Sequence, residues 1–147
     1  MSYKNIVVYC GSHFGNDPAY AAFAGELGEA LGKNHFHMIY GGGTVGLMGI
    51  CADAAMAAGG EVTGVIPEVF IAKEQAHRGL TELIEVPDMT IRKQKMISLG
   101  DAFLILPGGI GTLEELADTA NQRHIYGDPL AQPPIIICNI EHIYDGL

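Results

Sequence analysis

Ala102-Phe103-Leu104-Ile105-Leu106-Pro107-Gly108-Gly109-Ile110-Gly111-Thr112-Leu113-Glu114-Glu115 reads as a strand, a sharp turn and the opening of a helix. Residues 102–106 are wholly apolar, without alternation. A strand of that kind is covered on both faces, as in a parallel sheet between helices. Pro107 stops it, the glycines turn the chain, and helical spacing runs over 112–122.

The same order recurs on either side. Apolar strands are predicted at 5–10, 37–40, 61–66, 82–86 and 135–138. Helices are predicted at 18–32, 47–58 and 89–99, the second closed by Gly59-Gly60 as a C-cap signal. In the third, Met89, Lys93, Met96, Ile97 and Gly100 form the expected inner stripe, with Arg92 and Lys95 beside it. The repetition predicts one Rossmann-like domain over 1–147. It is a three-layer, doubly wound α/β fold, a parallel sheet with helices on both faces. Only residues 139–147 follow the last strand. The C-terminal helices that would cover it are therefore expected to be absent, although Glu141 to Asp145 could begin one.

Composition narrows the function classes. Glycine is 20 of 147 residues, roughly twice average usage and without a collagen period. The formal charge of −9 argues against nucleic acid and anionic membranes as partners. A small anion stays allowed, because backbone N–H groups hold phosphate without net positive charge. No apolar run is long enough for a transmembrane helix and no signal peptide is evident, so a cytoplasmic location is expected. Cys10, Cys51 and Cys138 are scattered among apolar residues, which suits buried thiols in a reducing compartment. His35 and His37 at strand spacing would face one side but lack a third ligand, so no metal site is expected.

Three strand ends carry the candidate chemistry: Cys10-Gly11-Ser12, Gly41-Gly42-Gly43-Thr44-Val45-Gly46, and the Pro107 to Glu115 turn. In a parallel sheet all three lie at the carboxyl edge, where open α/β folds bind ligands. Gly108, Gly109, Gly111 and Thr112 would offer a phosphate backbone amides, a helix N-terminus and a hydroxyl. A plain turn is the competing reading, with Thr112 as N-cap and Glu115 closing a capping box. The turn is neither a Walker A loop nor a dinucleotide fingerprint. In Met89-Thr90-Ile91-Arg92-Lys93, Arg92 could hold phosphate or ribose oxygens in a rigid fork. Lys93 alone could equally be a solvated surface residue. Glu115 could face Arg92 and stabilise positive charge developing at an anomeric carbon. His13 could touch a ligand, whereas His77 reads as a surface histidine. Ser12 lacks a nucleophile elbow, and Cys10 reads as core.

These segments, with Gly15, Val45-Gly46-Leu47-Met48-Gly49, Val65-Ile66-Pro67 and Thr81-Glu82-Leu83, make the chain resemble the LOG family, also labelled lysine decarboxylase-like. The resemblance spans roughly residues 6–139. It implies hydrolysis of the N-glycosidic bond of an adenosine 5'-monophosphate, with or without an N6 substituent, to free base and ribose 5-phosphate. It places catalysis on Arg92 and Glu115. Phosphate and nucleotide binding falls to Ser12, Gly42, Gly43, Gly108, Gly109, Gly111 and Thr112, and a candidate base pocket to His13, Met89 and Lys93. It implies a homodimer or higher homo-oligomer, and no metal or organic cofactor. The decarboxylase label would require pyridoxal phosphate, and no lysine here has the setting of a Schiff-base residue. Thr90 stands where the family usually has histidine, Ala120 where it often has tryptophan, and the loop over 127–134 is unusual. These departures bear on base preference. A non-catalytic carrier of a nucleotide or phosphorylated cofactor is the alternative, and a scaffold with a vestigial pocket a weaker third.

Overall fold

The computed structural model describes residues 4–73 and 75–147. Six strands alternate with helices: β1 (Asn5–Tyr9), α1 (Pro18–Lys33), β2 (His37–Tyr40), α2 (Gly46–Ala57), β3 (Glu61–Pro67), α3 (Phe70–Lys73), β4 (Glu82–Val86), α4 (Met89–Leu99), β5 (Ala102–Ile105), α5 (Ile110–Tyr126) and β6 (Ile135–Ile137). The strands form one sheet in the order β4-β3-β2-β1-β5-β6, with every pairing parallel. The chain builds outward from β1 to β4, then returns to lay β5 on the other side of β1. That reversal is the topological switch point, and it opens a crevice between the carboxyl ends of β1 and β5.

Alternate residues of β1 feed opposite layers. Ile6 and Val8 join Ala24, Leu31, Leu47, Cys51 and Ala55 on the α1/α2 side. Val7 and Tyr9 join Ile39, Val65, Phe103, Ile105 and Met96 on the other. Burial of both faces is why the strand is apolar throughout. The α1/α2 pair packs at close range through small residues. A Cβ on Gly28 would fall 2.9 Å from the Ala54 Cβ and strike the Cys51 carbonyl, and one on Gly32 would strike that of Ala55. Asp17 caps α1 by accepting the Ala19 N–H at 2.9 Å, with Pro18 at the first helical position. Asp88 caps α4 in the same way through Ile91.

Several expectations are corrected. Helix α5 starts at Ile110 and runs to Tyr126, beyond the predicted 112–122 at both ends. On α4 the buried side chains are Arg92 and Met96. Met89, Lys93 and Ile97 are only half-buried, because the guanidinium turns inward to carbonyls at the sheet edge. His35 occupies a left-handed turn at φ 59°, not a strand, so it does not share a face with His37. After β6, Ile140–His142 forms one 3-10 turn, with Glu141 and His142 at positive φ in place of a nascent helix. Ile140 packs on the α1/α2 layer and Tyr144 on the opposite one. Among the described residues no helix is long and apolar enough to cross a membrane.

Candidate active site

A cleft of about 500 Å³ opens at the carboxyl ends of β1, β2 and β5. That volume lies in the range of ordinary small-molecule sites, roughly 300–1,000 Å³. Gly108, Gly109, Gly111 and Thr112 form one wall, and Ser12 and His13 form the facing loop. The two crossovers are tied together, since the Gly11 N–H donates to the Pro107 carbonyl at 3.1 Å. The fit is close: a Cβ on Gly108 would collide with the Thr112 side chain, whereas one on Gly109 or Gly111 would meet nothing within 4 Å.

The capping box does not form. Gly109 is the N-cap and makes no side-chain cap bond. Thr112 is the third residue of the helix and is 3% exposed, because the chain has already turned helical at Ile110. The amides of Ile110, Gly111 and Thr112 therefore open α5 with no acceptor inside the helix. They carry the positive end of its dipole. Glu115 lies one turn further on and lines the same cleft.

Arg92 reaches the site from α4 and is 4% exposed. Its Nε donates to the Val65 carbonyl at 2.9 Å, and its Nη2 to the Gly41 carbonyl at 2.7 Å. Nη1 lies 3.5 Å from the Met89 sulfur. The rigid fork expected from sequence is thus largely spent on the ends of β2 and β3, which fixes the guanidinium in place. A Cβ at Gly41 would strike that guanidinium, which is the reason for glycine there.

Gly42 and Gly43 do not line the cleft; Gly41 does. Gly42 takes the left-handed backbone at φ 82°, and its carbonyl accepts the His77 N–H at 2.9 Å. The Gly43 carbonyl accepts the Tyr40 hydroxyl at 2.7 Å. Both serve the scaffold behind the wall. Lys93 also lies outside the lining. Its Nζ is 2.6 Å from Glu114 and 3.5 Å from Asp118, and the hydrogen bond it donates to Glu114 raises its pKa above the usual lysine value. His13 and Met89 do line the cleft, with the His13 ring 3.4 Å from the Ser12 hydroxyl. His77 is expected to be a satisfied surface histidine, and its Nε2 lies 2.6 Å from Asp53.

Tyr9 forms part of the cleft floor and was not singled out by sequence. Its hydroxyl meets that of Thr119 at 2.8 Å. Burial holds the phenol above its ordinary pKa; the charges of Glu115 and Asp118 add to the rise, and the Thr119 bond and Arg92 oppose it. Arg92 and Glu115 therefore act on the same buried point from opposite signs. Tyr9 was legible in principle, being the last residue of a strand that ends in Cys10-Gly11-Ser12. Ile143, another lining residue, had no sequence signal, because only the 3-10 turn brings it there.

A doubly wound parallel sheet with helix-end amides, a fixed arginine and a carboxylate around its switch-point cleft defines a Rossmann-like α/β protein with an anion-ready site. The molybdenum cofactor binding protein of Rippkaea orientalis shares the fold, with a TM-score of 0.72 at 21% identity over 93% of this chain and 77% of that one. Residues 48–147 match the family described as "Possible lysine decarboxylase". The cytokinin riboside 5'-monophosphate phosphoribohydrolase of Rhodococcoides fascians is 44% identical over 145 residues, covering 98% of this chain and 72% of that protein. The Arabidopsis thaliana phosphoribohydrolase LOG1 is 38% identical over 145 residues, covering 99% and 67%. The chain belongs to this family, the LOG family. Its decarboxylase description implies pyridoxal phosphate, and the residues do not fit that group: among the described residues no lysine lines the cleft, and Lys93 of α4 is paired with Glu114 and Asp118 of α5.

Proposed function

We propose that the protein hydrolyses the N-glycosidic bond of an adenosine 5'-monophosphate, with or without an N6 substituent. The observation that carries this reading is the gathering of the α5 amides, Arg92 and Glu115 in one cleft. The named activity of the curated relatives supports it. The 5'-phosphate sits at the N-terminus of α5, on the amides of residues 110–112 and against the Thr112 hydroxyl. The ribose then extends along Glu115, with the base toward Met89 and His13.

Glu115 orients water beneath the anomeric carbon and offsets the positive charge that develops there as the C–N bond breaks. The water oxygen bonds to that carbon and keeps one proton as the anomeric hydroxyl, its other proton ends on the departing base nitrogen, and the base leaves with the bonding electron pair. Arg92, fixed by Gly41 and Val65, supplies a preorganised cation beside the sugar phosphate. It needs no reorganisation during the reaction.

Incubation with AMP and N6-substituted adenosine monophosphates is expected to release free base and ribose 5-phosphate in equal amounts. Glu115→Gln is expected to lower kcat by about 10²–10⁴-fold while leaving the folded circular dichroism spectrum intact. No release across a broad panel of nucleoside monophosphates overturns the reading. It would favour a nucleotide or cofactor carrier, a role in keeping with the name of the Rippkaea orientalis protein; such a carrier would bind tightly without turnover.

A further inference from the structure

Arg92 and Lys93 are neighbours on α4, and Glu114 and Glu115 are neighbours on α5. Each pair places one residue at the cleft and one outside it. The two outside residues meet, with Lys93 Nζ 2.6 Å from Glu114 Oε1. Asp118, four residues after Glu114 and so on the same helix face, stands 3.5 Å from that ammonium. The Lys93 side chain is 14% exposed, although Glu114 is 61% exposed. The aliphatic stem is therefore covered along the helices, while the ion pair at its end faces water.

Met96 and Leu99 of α4 and Leu116 of α5 belong to one apolar cluster. The buried side chains of α4 are Arg92 and Met96; those of α5 are Thr112 and Thr119. The α1/α2 pair, by contrast, interlocks through glycines against backbone. Apolar contact like that between α4 and α5 is non-directional, and a bridged cation beside it can set the rotation of one helix relative to the other. We propose that Lys93 is a positioning residue. By binding Glu114 and Asp118 it sets the register of α4 on α5, and so aims Arg92 and Glu115 at one point. This rests on the reading of the cleft given above. It assigns Lys93 no contact with substrate.

An ion pair with a solvent-facing partner adds little stability, whereas a displacement of about 1 Å in a catalytic group can cost on the order of 10²-fold in rate. Replacement of Lys93 should therefore appear in kcat more than in stability. Lys93→Met keeps the aliphatic stem and removes the charge. It is expected to lower kcat about 10- to 100-fold, with KM within about threefold and the melting temperature within about 3 °C of wild type, as for loss of a weak ion pair. Lys93→Arg is expected to restore most of the rate. Adding Glu114→Gln to Lys93→Met should cost nothing further, because the bond is already gone.

A second readout does not use turnover. The Arg92 Nε–H, which donates to Val65, should give a protected side-chain resonance in the 15N-labelled protein. That resonance should shift in Lys93→Met and return in Lys93→Arg. An unchanged Arg92 resonance, an unchanged kcat, or equal loss in the Met and Arg variants overturns the role of Lys93. If the wild type releases no base but the resonance responds as expected, the enzymatic reading fails and the alignment by Lys93 stands.

Discussion

Gly108 and Gly109 are adjacent and do different work. A methyl group on Gly108 would run into the Thr112 side chain, but one on Gly109 would meet open space. Gly108→Ala is therefore expected to destabilise the fold by about 1–3 kcal/mol, the range for overpacking, seen as a lower urea midpoint. Gly109→Ala should leave that midpoint unchanged and instead weaken binding of ribose 5-phosphate, measured calorimetrically, because its methyl would occupy the space over the helix amides. If both variants unfold at the wild-type midpoint, the close contact with Thr112 is not a constraint. Sequence marked both glycines but could not separate them, since the distinction depends on which one faces the helix. The same limit applies at Gly41. All three glycines of Gly41-Gly42-Gly43 look alike in one dimension, and only the inward turn of Arg92 selects the first.

At the scale of elements, glycine and proline punctuation made most of the fold readable. The strands at 37–40 and 82–86 and the helix at 89–99 agree with His37–Tyr40, Glu82–Val86 and Met89–Leu99. Hydrophobic periodicity failed on α4 for a physical reason: it scores arginine as polar, yet Arg92 is the most inward polar residue there. The start of α5 was missed because a threonine three residues before a glutamate imitates a capping box. The α1/α2 contact was not anticipated either, and it makes a clear demand. Gly28→Ala would gain about 1 kcal/mol of helix propensity. The new methyl would nevertheless sit 2.9 Å from the Ala54 Cβ and press on the Cys51 carbonyl. A net loss of about 1–3 kcal/mol is expected, read from chemical denaturation. A more stable variant would mean that the helices can part at little cost.

For the molecule as a whole, groups held neutral by burial, Cys51 and Tyr144 among them, tie stability to alkaline pH. Desolvation pushes the Cys51 thiol from 9.0 up to about 12. Burial likewise pushes the Tyr144 phenol from 10.0 up to about 12, partly offset by the Gly108 backbone. Each group keeps its proton in the folded state through a range where the unfolded chain releases it. Their contribution is thus complete below about pH 9 and declines as pH rises from 9 toward 12. The decline should reach at most about 1.4 kcal/mol per pH unit for the single proton of Cys51. Urea midpoints should fall between pH 8 and pH 10.5, and Cys51→Ala should flatten part of that fall; a flat wild-type profile would count against both shifts. The formal charge of −9 acts on a different property. An anionic ligand approaches against the long-range field of the protein, while helix-end amides attract it only within reach of the first turn. Capture is therefore a short-range event: an anion is repelled at a distance and held only after it has entered the cleft, so added salt, by shortening the reach of the repulsion, eases the approach more than it weakens the grip.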